Sequence, residues 1–311
     1  MIEEHTAETG DDPVRALALD YPARGIGGTC LVRADCIEWL SRLPAHCLHA
    51  IVTDPPYGVV EFSAKEQAKL RQGRGGVWRI PPKIGGSQRR PVPRFTVLSP
   101  AELAHLAVFF GRFGRAALRA LVPGAHLMIA TNPLVSTTLY TALLDVGFEQ
   151  RGEIIRLVMT LRGGDRPKNA HDEFADVTVM PRSMFEPWGL FRKPLDGRVQ
   201  DNLRKWQTGG LRRISATQPF FDVIRAGRTP RREREIAAHP SLKPQDLMRQ
   251  LVRASLPLGS GIVCDPFAGS GSTLAAAEAV GYSAIGCEVD PHYFAIAVKA
   301  IPRLAALTVA V

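Results

Sequence analysis

The chain is poor in cysteine and in long apolar runs, and each shortage excludes a class of protein. Its five cysteines form no Cys-x-x-Cys pair and show no spacing typical of zinc ligands, so we expect reduced core cysteines and no metal site. No apolar run approaches the roughly 20 residues that a membrane-spanning helix needs. Met1–Asp12 is polar and acidic rather than typical of a signal peptide. We therefore expect a cytoplasmic protein.

Two common nucleotide-binding motifs are also missing. The chain has no Gly-x4-Gly-Lys-Ser/Thr phosphate loop, which disfavours ATP as a ligand. Leu274 stands where the dinucleotide fingerprint has its third glycine or alanine, which disfavours NAD. His171-Asp172-Glu173 is typical of a polar turn, so catalysis by a set of serine, histidine and aspartate is not indicated.

The positive charge of the chain is concentrated in two segments. The 311 residues carry a net charge of +9. Residues 60–95 and residues 187–238 each carry a net charge of +7, so the rest of the chain is net negative. Charge clustered in this way favours a polyanionic partner over an evenly solvated surface. At 45% hydrophobic residues, the chain is ample for one large domain, with or without a small insert.

Predicted strands and helices alternate along most of the chain. The spacing of apolar residues predicts helices near 36–43, 100–121, 135–146, 244–256, 272–280 and 291–301, and strands near 30–35, 48–53, 126–130, 153–160, 175–180, 261–264 and 283–288. This alternation predicts an α/β fold with a doubly wound, largely parallel sheet. We divide the chain into a flexible tail at 1–25, a first half at 26–186, a basic insert at 187–238, and a second half at 239–311 that belongs to the same domain as the first.

A strand, a glycine turn and a helix start are predicted within Val263–Thr273. Glycines at 269 and 271 allow the backbone to approach a ligand closely, and the start of the following helix offers free N–H groups. Glu288 ends the next predicted strand, nineteen residues beyond Gly269. A carboxylate at that spacing can accept hydrogen bonds from ribose hydroxyls. This half of the chain is therefore interpreted as a nucleoside-cofactor site.

A second motif follows the apolar run at 50–53. Asp54-Pro55-Pro56-Tyr57 combines a carboxylate, a rigid proline turn and an aromatic ring at the end of a predicted buried strand. These groups are suited to holding a planar base that carries an exocyclic amino group. The first half of the chain is therefore interpreted as a base-binding site.

Together the two motifs resemble those of the DNA amino-methyltransferases, which use S-adenosylmethionine and carry Asp/Asn/Ser-Pro-Pro-Tyr/Phe and Phe-x-Gly-x-Gly signatures. Their order, catalytic motif first, resembles the β class, and residues 239–244 match its His-Pro-x-x-Lys-Pro pattern. The resemblance covers roughly residues 31–301 and implies a circularly permuted, Rossmann-like methyltransferase fold. Ala34 precedes Asp35 where the family usually has glycine.

The resemblance implies a role for each motif residue. Asp54 and the Pro55 carbonyl would accept the two amino hydrogens, Tyr57 would stack on the flipped base, and Pro56 completes the catalytic motif. Lys243 would meet the methionine carboxylate, and Glu288 would hold the ribose. The residues expected to bind the cofactor are Asp35, Lys243, Asp265, Phe267, Ala268, Gly269, Ser270, Gly271 and Glu288.

The sequence thus predicts a site-specific DNA methyltransferase that acts on a flipped base. Asp at the first motif position favours adenine N6; cytosine N4, RNA, a protein amide and a non-catalytic nucleic-acid-binding module stay open as alternatives. The basic insert at 187–238 is the candidate target-recognition region. Double-stranded DNA is the expected partner, and a cognate restriction endonuclease and a homodimer are left open. The candidate base-reading side chains are Arg198, Asn202, Arg204, Arg212 and Arg213.

Overall fold

A nine-stranded sheet forms the centre of the molecule. The structure, a computed structural model, describes residues 12–56, 83–84, 87–88, 98–158, 164, 166–167, 169–239 and 241–309. The strands in these ranges are β1 (Ala23–Ile26), β2 (Thr29–Val32), β3 (Leu48–Thr53), β4 (Lys83–Ile84), β5 (Ser87–Gln88), β6 (Leu121–Ala130), β7 (Glu149–Leu157), β8 (Phe185–Arg192), β9 (Val223–Arg225), β10 (Ile262–Asp265) and β11 (Ser283–Cys287). The helices are α1 (Pro13–Ala16), α2 (Cys36–Arg42), α3 (Pro100–Ala120), α4 (Ser136–Asp145), α5 (Val199–Trp206), α6 (Arg231–Ile236), α7 (Gln245–Ser255), α8 (Ser272–Ala279) and α9 (Pro291–Ala305).

The strand order places late strands between early ones. The order is β1-β2-β11-β10-β3-β6-β8-β7-β9, and β4 and β5 form a separate antiparallel pair. The five strands from β2 to β6 in this order run parallel to one another, whereas β8 is antiparallel to both of its neighbours. The predicted α/β fold with a largely parallel sheet is confirmed. Because β3 and β10 pair directly, the two predicted half-sites lie at the same end of adjacent strands.

Both faces of the sheet are covered by helices, as the alternation of side chains along its strands requires. Ile51 of β3 faces a core that it shares with Phe110 and Phe113 of α3. Its neighbour Val52 faces the opposite core, which contains Leu251 of α7. Apolar residues are therefore buried on both sides of the central strands, which fixes the register of β3 and the position of the motif that follows it.

Local signals set the long helix α3 where the sequence predicts it. The Ser99 side chain accepts a hydrogen bond from the Glu102 backbone N–H, and the Glu102 carboxylate accepts one from the Ser99 backbone N–H at 2.6 Å. This reciprocal capping box, with Pro100 at the first helical position, satisfies N–H groups that have no partner within the helix.

Three parts of the predicted organisation differ from the structure. Residues 12–25, assigned to the flexible tail, form α1 and the start of β1, and Val14 is buried. The strand predicted near 175–180 is absent from these described residues, which form turns and irregular chain. The insert predicted from residue 187 does not begin there, because 187–192 lie within β8, between β6 and β7. Pro187 and Gly189 weaken the strand signal of this segment, but pairing with β6 and β7 stabilises it as a strand.

Other predictions fall partly on residues for which no structure is described. Most of the basic segment at 60–95 and residues 1–11 of the predicted tail lie outside the described residues. Among the helices that are described, none is long and apolar enough to cross a membrane.

Candidate active site

A cleft joins the two motifs at the carboxyl ends of β3 and β10. It opens to solvent, which is included in its roughly 330 Å³ of empty space, and it lies where neighbouring parallel strands end, the usual place for a ligand in such sheets. Asp54 and the glycine turn are therefore parts of one site. The residues that line the cleft are Asp54, His239, Ser241, Lys243, Met248, Asp265, Phe267, Ala268, Gly269, Ser270, Ser272 and Thr273.

Asp54 is held in an ion pair with Lys243. The Lys243 ammonium lies 3.0 Å from Asp54 Oδ2 and 3.0 Å from Glu186 Oε2. The side chains of Lys243 and Asp54 are only 12% and 14% exposed, so solvent screens this pair weakly. Burial alone would lower the pKa of Lys243, but the two carboxylates outweigh burial and raise it above its ordinary value. The lysine is therefore a cation at neutral pH.

Glu186 is the residue of this cluster that the motifs did not reveal. Its Oε1 accepts a hydrogen bond from Trp188 Nε1 at 2.9 Å, and its Oε2 lies 3.4 Å from the Arg156 guanidinium. Burial would raise the pKa of Glu186, but Lys243 and Arg156 lower it below its ordinary value. The available signal was a lone carboxylate in the otherwise apolar stretch 185–191.

Asp265, predicted to bind the cofactor, also braces the two central strands. Its Oδ1 accepts hydrogen bonds from Thr53 Oγ1 at 2.6 Å and from the Phe267 backbone N–H at 3.1 Å. Burial raises the pKa of Asp265 to about 6; hydrogen bonds from Thr273, Thr53 and Phe267 oppose the rise, and the charge of Asp54 adds to it.

The glycine turn is tied to the end of β11 through Glu288. The Gly269 backbone N–H donates to Glu288 Oε2 at 2.9 Å, and the Asp290 backbone N–H donates to Oε1 at 2.8 Å. Gly269 and Gly271 have φ values of +52° and +87°, a region that side chains disfavour. A Cβ on Gly269 would lie 3.2 Å from the His239 ring, so the turn has little room for a side chain.

His239 closes the side of the cleft next to this turn. Its ring packs edge-on against Tyr293 with 4.4 Å between ring centroids. Burial, with a smaller contribution from the charge of Lys243, lowers the pKa of His239 to about 4. The imidazole is therefore neutral at pH 7 and presents a polar, uncharged surface beside Gly269. Tyr293 was not singled out from the sequence.

The remaining predicted cofactor residues differ in their surroundings. Phe267 packs against Phe113 and Phe109 of α3, with centroid distances of 5.4 and 6.1 Å, and also lines the cleft. Ala268 and Ser270 are buried within the turn. Asp35 is exposed at the start of α2, where its carboxylate accepts hydrogen bonds from two backbone N–H groups of that helix.

The lining of the cleft fits S-adenosylmethionine, which carries a cationic sulfonium and an adenosine. The buried Asp265 carboxyl group lines the cleft, the charge of Asp54 is paired with the Lys243 ammonium, and Phe267 and Met248 add apolar surface. Glu288 is positioned at the glycine turn, where a ribose would need an acceptor. Among the described residues, no group of three or more His, Cys, Asp or Glu side chains could hold a metal ion.

The catalytic motif is only partly described. Pro55 is buried and Pro56 is exposed, so the chain leaves the sheet immediately after Asp54. Tyr57 lies outside the described residues, and its stacking role stays a prediction.

One of the five candidate base readers is wrong. Asn202 is fully buried, and its amide donates to the carbonyls of Pro123 and Thr208 at 3.0 and 2.7 Å. It therefore holds α5 against the sheet and cannot reach a base. Arg198 and Arg204 are exposed and paired with Asp201.

The two remaining arginines differ from each other. Arg213 is exposed, whereas Arg212 is partly buried and donates to the Tyr282 hydroxyl at 2.7 Å. Arg213, Arg198 and Arg204 are thus the candidates whose side chains lie on the surface.

Comparisons with known proteins agree with the motifs. The family model described as DNA methylase matches residues 170–299. The Type II methyltransferase M.HindIII of Haemophilus influenzae is 23% identical over 87% of this chain and 94% of its own length. The Type II methyltransferase M.XycI of Xanthomonas campestris pv. cyanopsidis is 26% identical over 87% of this chain and 86% of its own length.

Solved structures share the fold. TTHA0409 from Thermus thermophilus, crystallised with S-adenosyl-L-methionine, has a TM-score of 0.54 at 21% identity, over 89% of this chain and 94% of that one. The cytosine-N4-specific PvuII DNA methyltransferase has a TM-score of 0.56 at 14% identity, over 90% and 86% of the two chains. The resemblance predicted from the sequence motifs is confirmed.

Proposed function

We propose that this chain is an S-adenosylmethionine-dependent DNA methyltransferase of the N6/N4 amino type and that its target is the N6 amino group of adenine. The observation that carries the proposal is the position of Asp54, which lines one cleft with the glycine turn at 268–270. Asp at the first position of the Asp-Pro-Pro-Tyr motif resembles the adenine enzymes, whereas serine is commoner in the cytosine-N4 enzymes.

The chemistry required of Asp54 follows from the electronic structure of the base. An exocyclic amine is a weak nucleophile because its lone pair is delocalised into the ring. Asp54 and the Pro55 carbonyl accept the two amino hydrogens, which favours a tetrahedral nitrogen and stabilises its developing positive charge. When bound, S-adenosylmethionine supplies a methyl group made electrophilic by the attached cationic sulfur. The walls of the cleft supply the alignment on which much of the rate depends.

The cofactor is held by the glycine turn and its partners. Gly269 would let the backbone approach the ligand, Glu288, which already accepts from the Gly269 N–H, would accept from the ribose, and Phe267, which packs against α3, would also pack against the cofactor. Asp265, buried at the end of β10, would supply a negative charge toward the cationic cofactor. With these roles, the methyl donor would lie beside Asp54.

The base reaches Asp54 only after it leaves the duplex, at a cost of a few kcal/mol. Stacking on Tyr57 offsets part of that cost, roughly 1–3 kcal/mol by analogy with single-strand binders. The basic residues of 60–95 and of 193–238, the part of the second segment that follows β8, would contact the phosphates, and exposed Arg213 lies in the latter. We place target recognition in the second segment and expect a cognate restriction endonuclease, because M.HindIII and M.XycI are Type II enzymes. A homodimer stays open.

The decisive experiment incubates the protein with labelled S-adenosylmethionine and mixed-sequence DNA, and then identifies the labelled nucleoside. N6-methyladenine supports the proposal, whereas N4-methylcytosine replaces adenine with cytosine as the target. No labelled nucleoside, together with no affinity for S-adenosylmethionine, supports a non-catalytic nucleic-acid-binding module.

The role of Asp54 has its own test. We expect Asp54→Ala to abolish methyl transfer while its equilibrium affinity for S-adenosylmethionine stays within a few fold of wild type, because its carboxylate contacts the base. Full activity of this variant would contradict the proposed role.

A further inference from the structure

Lys243 lies at the centre of a buried charge cluster that contains the proposed catalytic carboxylate. Its ammonium is 3.0 Å from one oxygen of Asp54 and 3.0 Å from one oxygen of Glu186. All three side chains are at most 20% exposed. An ammonium with two carboxylates already in contact is poorly placed to take the carboxylate of methionine as a third.

The cluster is anchored on its far side. Glu186 receives a hydrogen bond from Trp188 Nε1 at 2.9 Å and pairs with Arg156 at 3.4 Å. Arg156 in turn donates to the Ala226 carbonyl at 3.1 Å and to the Gly227 carbonyl. Neighbouring strands β7 and β8 thus hold Glu186, which leaves Lys243 one well-defined position between the two carboxylates.

We propose that Lys243 is a positioning residue for Asp54, and that Glu186 acts through Lys243 by fixing its ammonium. This proposal rests on the proposed methyltransferase function and assigns roles within that site. The side-chain torsions of Asp54 determine whether its carboxylate faces the base. A contact at 3.0 Å to a fixed cation restricts those torsions and thereby fixes the direction of the carboxylate.

The charges of the cluster also balance. Asp54 and Glu186 contribute two negative charges, and Lys243 and Arg156 contribute two positive ones. Without Glu186, the Lys243 ammonium would no longer be held in one position and could move together with the Asp54 carboxylate. The orientation of the Asp54 carboxylate would then be less restricted. Removal of Lys243 would leave two buried carboxylates without the cation between them, which is the larger perturbation.

The test measures two quantities that the alternative roles affect differently. If Lys243 bound the methionine carboxylate, Lys243→Met would raise the dissociation constant for S-adenosylmethionine. If Lys243 positions Asp54, the dissociation constant and the KM for S-adenosylmethionine stay within about threefold of the wild-type values. In that case kcat falls about 100-fold, the order expected when a reacting group is misplaced by about 1 Å. Calorimetric titration gives the first quantity, and initial rates on DNA give the others.

Glu186→Gln supplies the milder variant, because the amide keeps one oxygen for Lys243, although it loses the charge and replaces the oxygen that accepts from Trp188 with an NH2 group. We expect kcat to fall about tenfold, a smaller loss than for Lys243→Met because one contact to the ammonium remains. The double variant should be no slower than Lys243→Met alone, because Glu186 acts through Lys243. Lys299→Met, on the exposed face of α9, is the matched control and should behave as wild type.

The variants distinguish the positioning role from cofactor binding. If the fold losses in kcat of the two single variants multiply in the double variant, the action of Glu186 through Lys243 is contradicted. Unchanged or higher kcat in Lys243→Met, or a raised dissociation constant for S-adenosylmethionine with kcat preserved, would overturn the positioning role. If Lys243→Met fails to fold, unchanged kcat in Glu186→Gln would still overturn the role of Glu186, and a tenfold loss with normal cofactor binding supports it. A wild-type protein that methylates no DNA would instead refute the proposed function.

Discussion

Asp265→Asn is expected to stabilise the protein at neutral pH and to have little effect on its stability in acid. Asp265 is 3% exposed at the end of β10, and burial raises its pKa from its ordinary value of 3.8 to about 6. The folded protein therefore binds the Asp265 proton more tightly than the unfolded chain does. Ionisation of this carboxyl group consequently reduces the free energy of unfolding.

The size of the effect follows from the rise in pKa. A change from 3.8 to about 6 corresponds to about 3 kcal/mol once the pH is well above 6. Below pH 3.8 the carboxyl is protonated in both states and the cost is absent; it grows as the pH rises to 6 and then stays constant. Asparagine keeps an acceptor oxygen for Thr53 and Phe267 but has no charge to bury.

Urea unfolding at several pH values between 4 and 8 checks this reasoning. The free energy of unfolding of Asp265→Asn minus that of wild type should increase with pH and level off above 6. Asp176→Asn, at an exposed turn position, is the control and should show little change in this difference. A difference for Asp265→Asn that is independent of pH, or that decreases as pH rises, would refute the assignment of a buried, ionised Asp265.

Two further substitutions test the cleft and the frame that supports it. Gly269→Ala places a Cβ at a φ of +52° and 3.2 Å from the His239 ring. We therefore expect S-adenosylmethionine to bind about tenfold more weakly, the equivalent of about 1.4 kcal/mol. A calorimetric affinity equal to that of wild type would contradict this expectation. Ser99→Ala removes the capping box of α3 and should lower the free energy of unfolding by about 1 kcal/mol without changing that affinity; urea unfolding measures the first and calorimetry the second.

The elements that the sequence predicts well are those whose determinants lie close together in the chain. Ser99, Pro100 and Glu102 define the start of α3 within four residues. Asp12 provides the same kind of signal, because its side chain caps α1 and Pro13 stands at the first helical position. The start of α1 is therefore encoded locally, within the range predicted to be a flexible tail.

The strand β8 shows where local patterns fail. Pro187 and Gly189 weaken the strand signal, yet pairing with β6 and β7 on both sides makes this segment part of the sheet. The alternation near 175–180 is typical of a strand, but these residues form turns and irregular chain. Pairing between distant segments, rather than propensity, decided both cases.

The contents of the site follow the same division. Asp54 and Gly269 are carried by motifs whose neighbouring residues identify them, and the parallel sheet implied that their strand ends could meet. Glu186 is 57 residues from Lys243 along the chain, so their ion pair depends on tertiary structure that no local spacing encodes. The family resemblance implies a cofactor-binding role for Lys243, because a sequence motif identifies a residue without showing which side chains it contacts in the folded chain.

Asp265 and Glu186 show how neighbours decide the behaviour of buried carboxylates at one site. Burial disfavours the charge of both, yet the pKa of Asp265 is raised and that of Glu186 is lowered. Glu186 has Lys243 and Arg156 beside it, whereas the bonds that Asp265 accepts come from hydroxyl and backbone groups and Asp54 adds a like charge. The charges of Asp54 and Glu186 are balanced by Lys243 and Arg156, so Asp265 remains as a negative charge that a cationic methyl donor would offset. We therefore expect the buried charge of Asp265 to lower the free energy of unfolding and to increase the affinity for that donor.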